Sequence, residues 1–327
     1  MLLHLPNPDI SSIYHRLILL CALCWLAALT GCSLEAPGGT EVIVAVERLR
    51  LRSSTAEAAH IVGELKLGDR VTIKERSDES DATWVRVVGS DGVKGWTDLK
   101  NLIEVDIADR SRKIADESKD IQTQAVGRSR APLKLRLTPD RSTEQNVLAM
   151  LPTGTRLEIV GRDRRPRPDT AEQKENDDQA AMKFDDWYRV RLPGNSVTPG
   201  GWIYGGSVEL EIPGEIVYYA STGRRIVGWQ RLDGKDLTDE AVGSPYLVLE
   251  RQTYSKGDVD FDRIKVLAYD ENKRDYYTPF REDSGGRFPV AMKTSGRKGT
   301  FEFTGTKGRA AYEFEIPLSG KLKVTKK

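Results

Sequence analysis

The sequence predicts a mainly β chain: two small β-barrels joined by a helical linker, followed by a β-rich, sandwich-like C-terminal domain. Three observations carry this. The same strand-forming blocks occur twice in the same order. A charged stretch between them carries isoleucines at a helical spacing. The last third of the chain alternates apolar and polar side chains but does not repeat the earlier blocks.

The chain starts with a leader. Leu17–Leu29 is apolar, follows His15 and Arg16, and ends in Leu29-Thr30-Gly31-Cys32. A basic flank, an apolar run too short to span a bilayer comfortably, and small residues before a cysteine describe a secretory signal peptide over residues 1–31. The four closing residues resemble the lipobox of bacterial lipoproteins, Leu-[Ala/Ser/Thr]-[Gly/Ala]-Cys. That resemblance implies that Cys32 becomes the lipidated first residue of the mature chain, with 32–43 as a tether to the membrane. In that family an acidic residue after the cysteine retains the protein at the inner membrane. Ser33 is not acidic, so the resemblance implies the outer membrane, facing the periplasm or the cell surface.

The first barrel is expected over 44–104. Its blocks are Leu49-Arg50-Leu51-Arg52, Ile61–Leu67 with Gly68, Trp84-Val85-Arg86-Val87, and Gly95-Trp96. The second, over 131–211, reads Leu133-Lys134-Leu135-Arg136, Val147–Leu151 with Gly154, Trp187-Tyr188-Arg189-Val190, and Gly201-Trp202. Each block alternates as a half-buried strand does. Gly68 and Gly154 stand where a tight turn leads into the next strand, and Asp91-Gly92 reads as a hairpin turn. Taken in order, the blocks resemble bacterial SH3 domains, so two SH3-like barrels are expected. Segment two departs by a charged insertion, 162–186. There Arg162, Arg164, Arg165 and Arg167 precede Glu172, Glu175, Asp177, Asp178, Asp185 and Asp186. A solvated, mobile loop is the expectation, and a docking site for a charged partner is the sharper alternative.

Between the barrels, 105–130 carries Ile107, Ile114 and Ile121 on one stripe and reads as a spacer helix. In 212–327, Tyr246–Leu249 and Arg263–Tyr269 are strand candidates. Phe301/Phe303 and Tyr312/Phe314/Ile316 form a late hairpin around Gly305–Gly308. A sandwich is the expected architecture.

Composition excludes much chemistry. Net charge is +1 with 30% charged residues, so nothing demands nucleic acid. The cysteines are Cys21, Cys24 and Cys32, and the only histidine beyond the leader is His60. A mature chain without a free thiol and with one histidine cannot build a multi-histidine zinc site or a Cys-His pair. His60 precedes a strand and reads as a loop residue. Asp258, Asp260 and Asp262 alternate, but they fail the EF-hand pattern at Arg263 and Tyr269 and read as a turn or strand face. No cofactor and no catalytic residue is expected.

Trp96 and Trp202, each behind a glycine, are read as plugs of the barrel cores. Trp84, Trp187 and Tyr188 are the ligand-binding candidates: some bacterial SH3 domains bind peptidoglycan peptides near such aromatics, and packing is the competing reading. Two aromatic clusters, Tyr276-Tyr277 with Phe280 and Tyr218-Tyr219, stay open between core and ligand surface. The basic end, Lys321 to Lys327, reads as edge protection. The expected function is a non-catalytic, membrane-anchored envelope lipoprotein that binds peptidoglycan or an envelope protein. The alternatives are a structural subunit of an envelope complex and a carboxylate-dependent wall hydrolase in 212–327.

Overall fold

The computed structural model describes residues 39–77, 83–166, 184–235, 237, 243–253, 259–318 and 320–327. Residues 1–38, which hold the expected leader and Cys32, lie outside them, as do Asp258 and 167–183 of the insertion. Residues 41–327 form one compact unit. No helix among the described residues is long and apolar enough to cross a membrane.

The first seven strands are β1 (Thr40–Val44), β2 (Arg48–Arg52), β3 (Ile61–Lys66), β4 (Arg70–Arg76), β5 (Trp84–Gly89), β6 (Lys94–Asp98) and β7 (Leu102–Glu104). They form one curled sheet in the order β3-β2-β6-β5-β4-β1-β7. Its inner face holds Val42, Val44, Leu49, Leu51, Val71 and Val85 among the buried core side chains. The sharp turn between β3 and β4 uses Gly68 at φ +89, a conformation that disfavours any side chain.

The second set is β8 (Ala125–Ser129), β9 (Leu133–Arg136), β10 (Val147–Leu151), β11 (Arg156–Pro166), β12 (Phe184–Arg191), β13 (Gly200–Tyr204) and β14 (Val208–Leu210). Their order, β10-β9-β13-β12-β11-β8-β14, repeats the first sheet strand for strand. A 3-10 turn precedes the last strand in both (Leu99–Asn101 and Gly205–Ser207). Gly154, at φ +80, repeats the role of Gly68.

Two expectations need correction here. The helix is shorter than the charged stretch, spanning only Val105–Asp116. Ser118 ends it, turning its hydroxyl back to the carbonyls of Ile114 (3.1 Å) and Ala115 (3.0 Å). Ile121 therefore lies beyond the helix, and β8, inside the presumed linker, belongs to the second sheet. The flanks of the insertion are not a mobile loop either. Arg162, Arg164 and Arg165 on β11 face Tyr188, Asp186 and Asp185 across a regular antiparallel ladder with β12.

The C-terminal region has two four-stranded antiparallel sheets. One holds β15 (Arg224–Arg231), β16 (Tyr246–Gln252), β17 (Arg263–Asp270) and β18 (Asp275–Glu282). The other holds β19 (Gly286–Ser295), β20 (Lys298–Gly305), β21 (Gly308–Glu315) and β22 (Lys323–Lys326). Leu247, Leu249, Ile264 and Val266 from the first meet Val290, Phe301, Tyr312 and Phe314 from the second, as in a sandwich. Tyr246 and Val248 point the other way, into a core shared with Leu135, Leu157 and Val190 of the second seven-stranded sheet. β16 is thus buried on both faces, which explains its unbroken apolar run. The second barrel and the sandwich are fused through one core.

The late hairpin β20–β21 forms as read from the sequence. The two aromatic clusters meet: Tyr219 stands edge-on to Tyr276 at 5.7 Å, and Tyr277 and Phe280 pack on the sandwich core. Asp260 and Asp262 serve the backbone, accepting from Phe288 N (2.7 Å) and Gln252 N (2.9 Å). β22 is an edge strand, where Lys326 pairs with Glu282 at 2.5 Å and Lys327 with Glu313 at 2.6 Å.

Candidate functional site

The ladder registers place equivalent residues of the two barrels. Trp84 faces Asp98 and Arg86 faces Trp96 across β5–β6; Trp187 faces Tyr204 and Arg189 faces Trp202 across β12–β13. Trp84 therefore corresponds to Trp187, Trp96 to Trp202, and Lys94 to Gly200. Arg52 opposite Trp96 corresponds to Arg136 opposite Trp202.

Strand alternation puts Gly95 and Thr97 of β6 inward, and Lys94, Trp96 and Asp98 outward. Trp96 and Trp202 are thus half-buried residues of the outer face, not core plugs. The glycines are the inward positions: a Cβ at Gly95 would stand 2.8 Å from Leu51 Cβ, and at Gly201 2.7 Å from Leu135. The glycine is needed where β6 and β13 cross the core, and the tryptophan after it must face out.

Among the described residues no helix packs on this outer face of the first barrel. Trp84 and Trp96 are half-buried, and the guanidinium of Arg52 lies over the Trp84 ring at 5.7 Å. Arg52 also donates to the Glu57 carbonyl (3.0 Å), which holds it there. Asp98 accepts from Lys100 N at 3.0 Å and pairs with Lys100 Nζ at 2.8 Å; burial works against its charge, but these contacts hold its carboxyl below the usual range. The result is two half-buried indole rings on one outer face, a cation held over the Trp84 ring, and the Asp98 carboxylate at the strand position opposite Trp84. Of these residues Trp84 is the candidate named from the sequence, where Trp96 is read as a core plug and neither Arg52 nor Asp98 is singled out. The alternation around Gly95-Trp96 was the signal that would have found them.

On the second barrel the same face is closed at both ends. The helix Val105–Asp116 lies on it: Ser111 Oγ donates to Gly200 O (2.6 Å) and accepts from Gly200 N (3.1 Å). A Cβ at Gly200 would stand 2.8 Å from Ala115 N, so this approach requires glycine. Arg189 donates to Ile114 O (3.0 Å) and Glu117 (2.9 Å). At the other end Arg141 covers the Tyr204 ring at 5.3 Å and pairs with buried Asp185 at 2.9 Å. Beneath them Trp187, 2% exposed, packs edge-on against Tyr204 at 6.0 Å.

Trp187 is therefore corrected from a ligand platform to a packing residue. Tyr188 faces the opposite way, against the sandwich, where burial pushes its phenol up. Near it Arg162 pairs with Asp186 at 2.6 Å and lies 3.6 Å from Asp260. Burial raises the Asp260 carboxyl despite Arg162, and burial lowers Arg251 to about 10. The charges of the insertion's flanks thus clamp the second barrel to the sandwich. Among the described residues no group of three or more His, Cys, Asp or Glu is arranged to hold a metal ion. His60 is exposed in the loop before β3.

Residues 47–102 match the family model of the bacterial SH3 domain, the stretch that carries the open face. None of the curated proteins matches the chain. Among solved structures, NlpC2 from Trichomonas vaginalis aligns over 76% of this chain and 93% of its own at 9% identity; its TM-score of 0.18 carries no argument.

Proposed function

We propose that this chain is a membrane-tethered, non-catalytic envelope protein whose first barrel binds peptidoglycan. The open Trp84–Arg52–Trp96 face, on the segment that matches the bacterial SH3 family, carries this reading. Aromatic rings offer contact area at low conformational cost, and a guanidinium held over one ring meets the carboxylates of wall peptides without first being ordered. The second barrel, with the same strand order, is a second domain of that type whose face is spent on the linker helix. Binding is then monovalent, not an avidity effect of two modules.

Co-sedimentation with purified sacculi tests this. The chain from Ser33 should pellet with sacculi, and Trp84→Ala should weaken that at least about tenfold. Failure of the folded chain to pellet would turn the reading toward an envelope protein partner. The tether is tested separately, in bacterial cells fed labelled palmitate. Label and membrane fractionation should both be lost in Cys32→Ala; a variant still labelled and membrane-bound would overturn lipidation at this residue.

A further inference from the structure

A second site is carried by a crevice of about 350 Å³ between the second barrel and the sandwich. It is remote in the fold from the Trp84 face and does not rest on that reading. Its walls come from the turn after the linker helix, from β11 and β12, from β15 and the turn after it, and from β19.

Its frame is rigid. Arg191 donates to Glu158 (3.1 Å), Thr123 Oγ1 (3.1 Å) and the carbonyls of Ser118 (2.8 Å) and Ile121 (2.9 Å). Arg231 is held by Asp233 (2.8 Å) and Ser244 (2.9 Å). These cations are committed to shape.

The groups left over are specific. Gln230 is 4% exposed, and its Nε2 donates to Val290 O at 2.9 Å. That fixes which way round the amide sits. Its buried Oε1 then has no partner among the described residues. A buried acceptor left unpaired costs free energy until a donor reaches it. Gln122 is the converse: its Oε1 accepts from Met292 N (2.7 Å), which leaves its Nε2 as a donor. At the rim, Lys119 and Lys235 are exposed and have no ion-pair partner among the described residues. Ile121, Leu237 and Met292 give an apolar wall.

We propose that this crevice binds the carboxylate end of a short peptide. A ligand N–H answers Gln230 Oε1, a ligand carbonyl answers Gln122 Nε2, and the terminal carboxylate lies between Lys119 and Lys235. The volume is at the small end of ligand sites, room for about two residues. A wall stem peptide and a free peptide share this chemistry.

The test is titration of the purified chain with acetyl-Ala-Ala and with its C-terminal amide, followed by NMR or calorimetry. The acid should bind at least tenfold more tightly than the amide. Gln230→Leu and the surface pair Lys119→Ala/Lys235→Ala should each weaken it at least tenfold, while Lys74→Ala, at an exposed position of β4 outside both sites, leaves it unchanged. Muropeptides cut from sacculi, titrated in parallel into wild type and Gln230→Leu, identify the source: a share of binding that is lost in Gln230→Leu and is tighter than the dipeptide's assigns the site to the wall, and a Gln230-dependent share equal to the dipeptide's assigns it to free peptide ends. Equal affinity for acid and amide, binding untouched by the lysine pair, or no saturation at millimolar peptide (a crevice filled by water only) would overturn the proposal.

Discussion

Alanine at Trp187 is expected to cost about 3–5 kcal/mol of stability, the usual range for deleting a buried tryptophan. The same change at Trp84 should cost far less and remove sacculus binding instead. The two residues occupy the same register, so the contrast comes from what covers them. Trp187 is 2% exposed, packed under Tyr204 with Arg141 above. Its removal leaves a cavity that the surrounding β12–β13 ladder cannot collapse into. Trp84 is half-buried, with Arg52 on one face of its ring. Denaturant titration of both variants, with the slope checked against wild type, reads the stability difference. Equal destabilisation by the two substitutions would sink the claim that one face is open and the other closed.

That contrast shows how far the sequence could be read. The doubled barrel was legible because each strand block carries a period of two and the blocks recur in order. The hairpin β20–β21 was legible for the same reason. What alternation leaves open is the absolute face. Gly201-Trp202 fits either with the tryptophan inward or with the glycine inward, and only the crossing over Leu135 decides it. The closure of the second barrel's face rests on Gly200 beside Ala115, residues 85 positions apart in the sequence (200 minus 115) whose meeting no local pattern announces. The charged flanks of the insertion looked like loop because their counter-charges are mutual: Arg162 finds Asp186 across the hairpin and Asp260 in the sandwich. Tyr246–Leu249 read correctly as a strand, but its double burial required knowing that two cores meet there.

The meeting of those cores is also where a charge is most exposed to loss. Glu250 on β16 is fully buried, and Lys265 Nζ on β17 lies 2.8 Å from its Oε1. Ser221 donates its N–H to Oε1 (2.8 Å) and its hydroxyl to Oε2 (2.8 Å), which ties the loop before β15 to the sheet. Lys265 also donates to the Tyr219 carbonyl. Burial by itself would raise the Glu250 carboxyl, but Lys265 and Ser221 outweigh it and hold the pKa below the ordinary carboxylate value. Glu250→Ala leaves a buried ammonium without its anion and is expected to destabilise by about 3–5 kcal/mol. Replacing both partners by apolar residues of similar size should recover much of that loss, since the pair's own net worth is small once desolvation is counted.

The depressed pKa adds a pH signature. A carboxyl that is more acidic folded than unfolded stabilises the protein above its unfolded pKa, and that share is lost as pH falls through the folded value. The stability gap between wild type and Glu250→Gln should therefore be constant near neutral pH and narrow below about pH 4.5. Asp260, raised by burial, works in the opposite sense. It is present in both proteins and cancels in the difference. A gap that stays constant down to pH 3, or widens there, would show that the Glu250–Lys265 contact does not hold the carboxyl in its charged form.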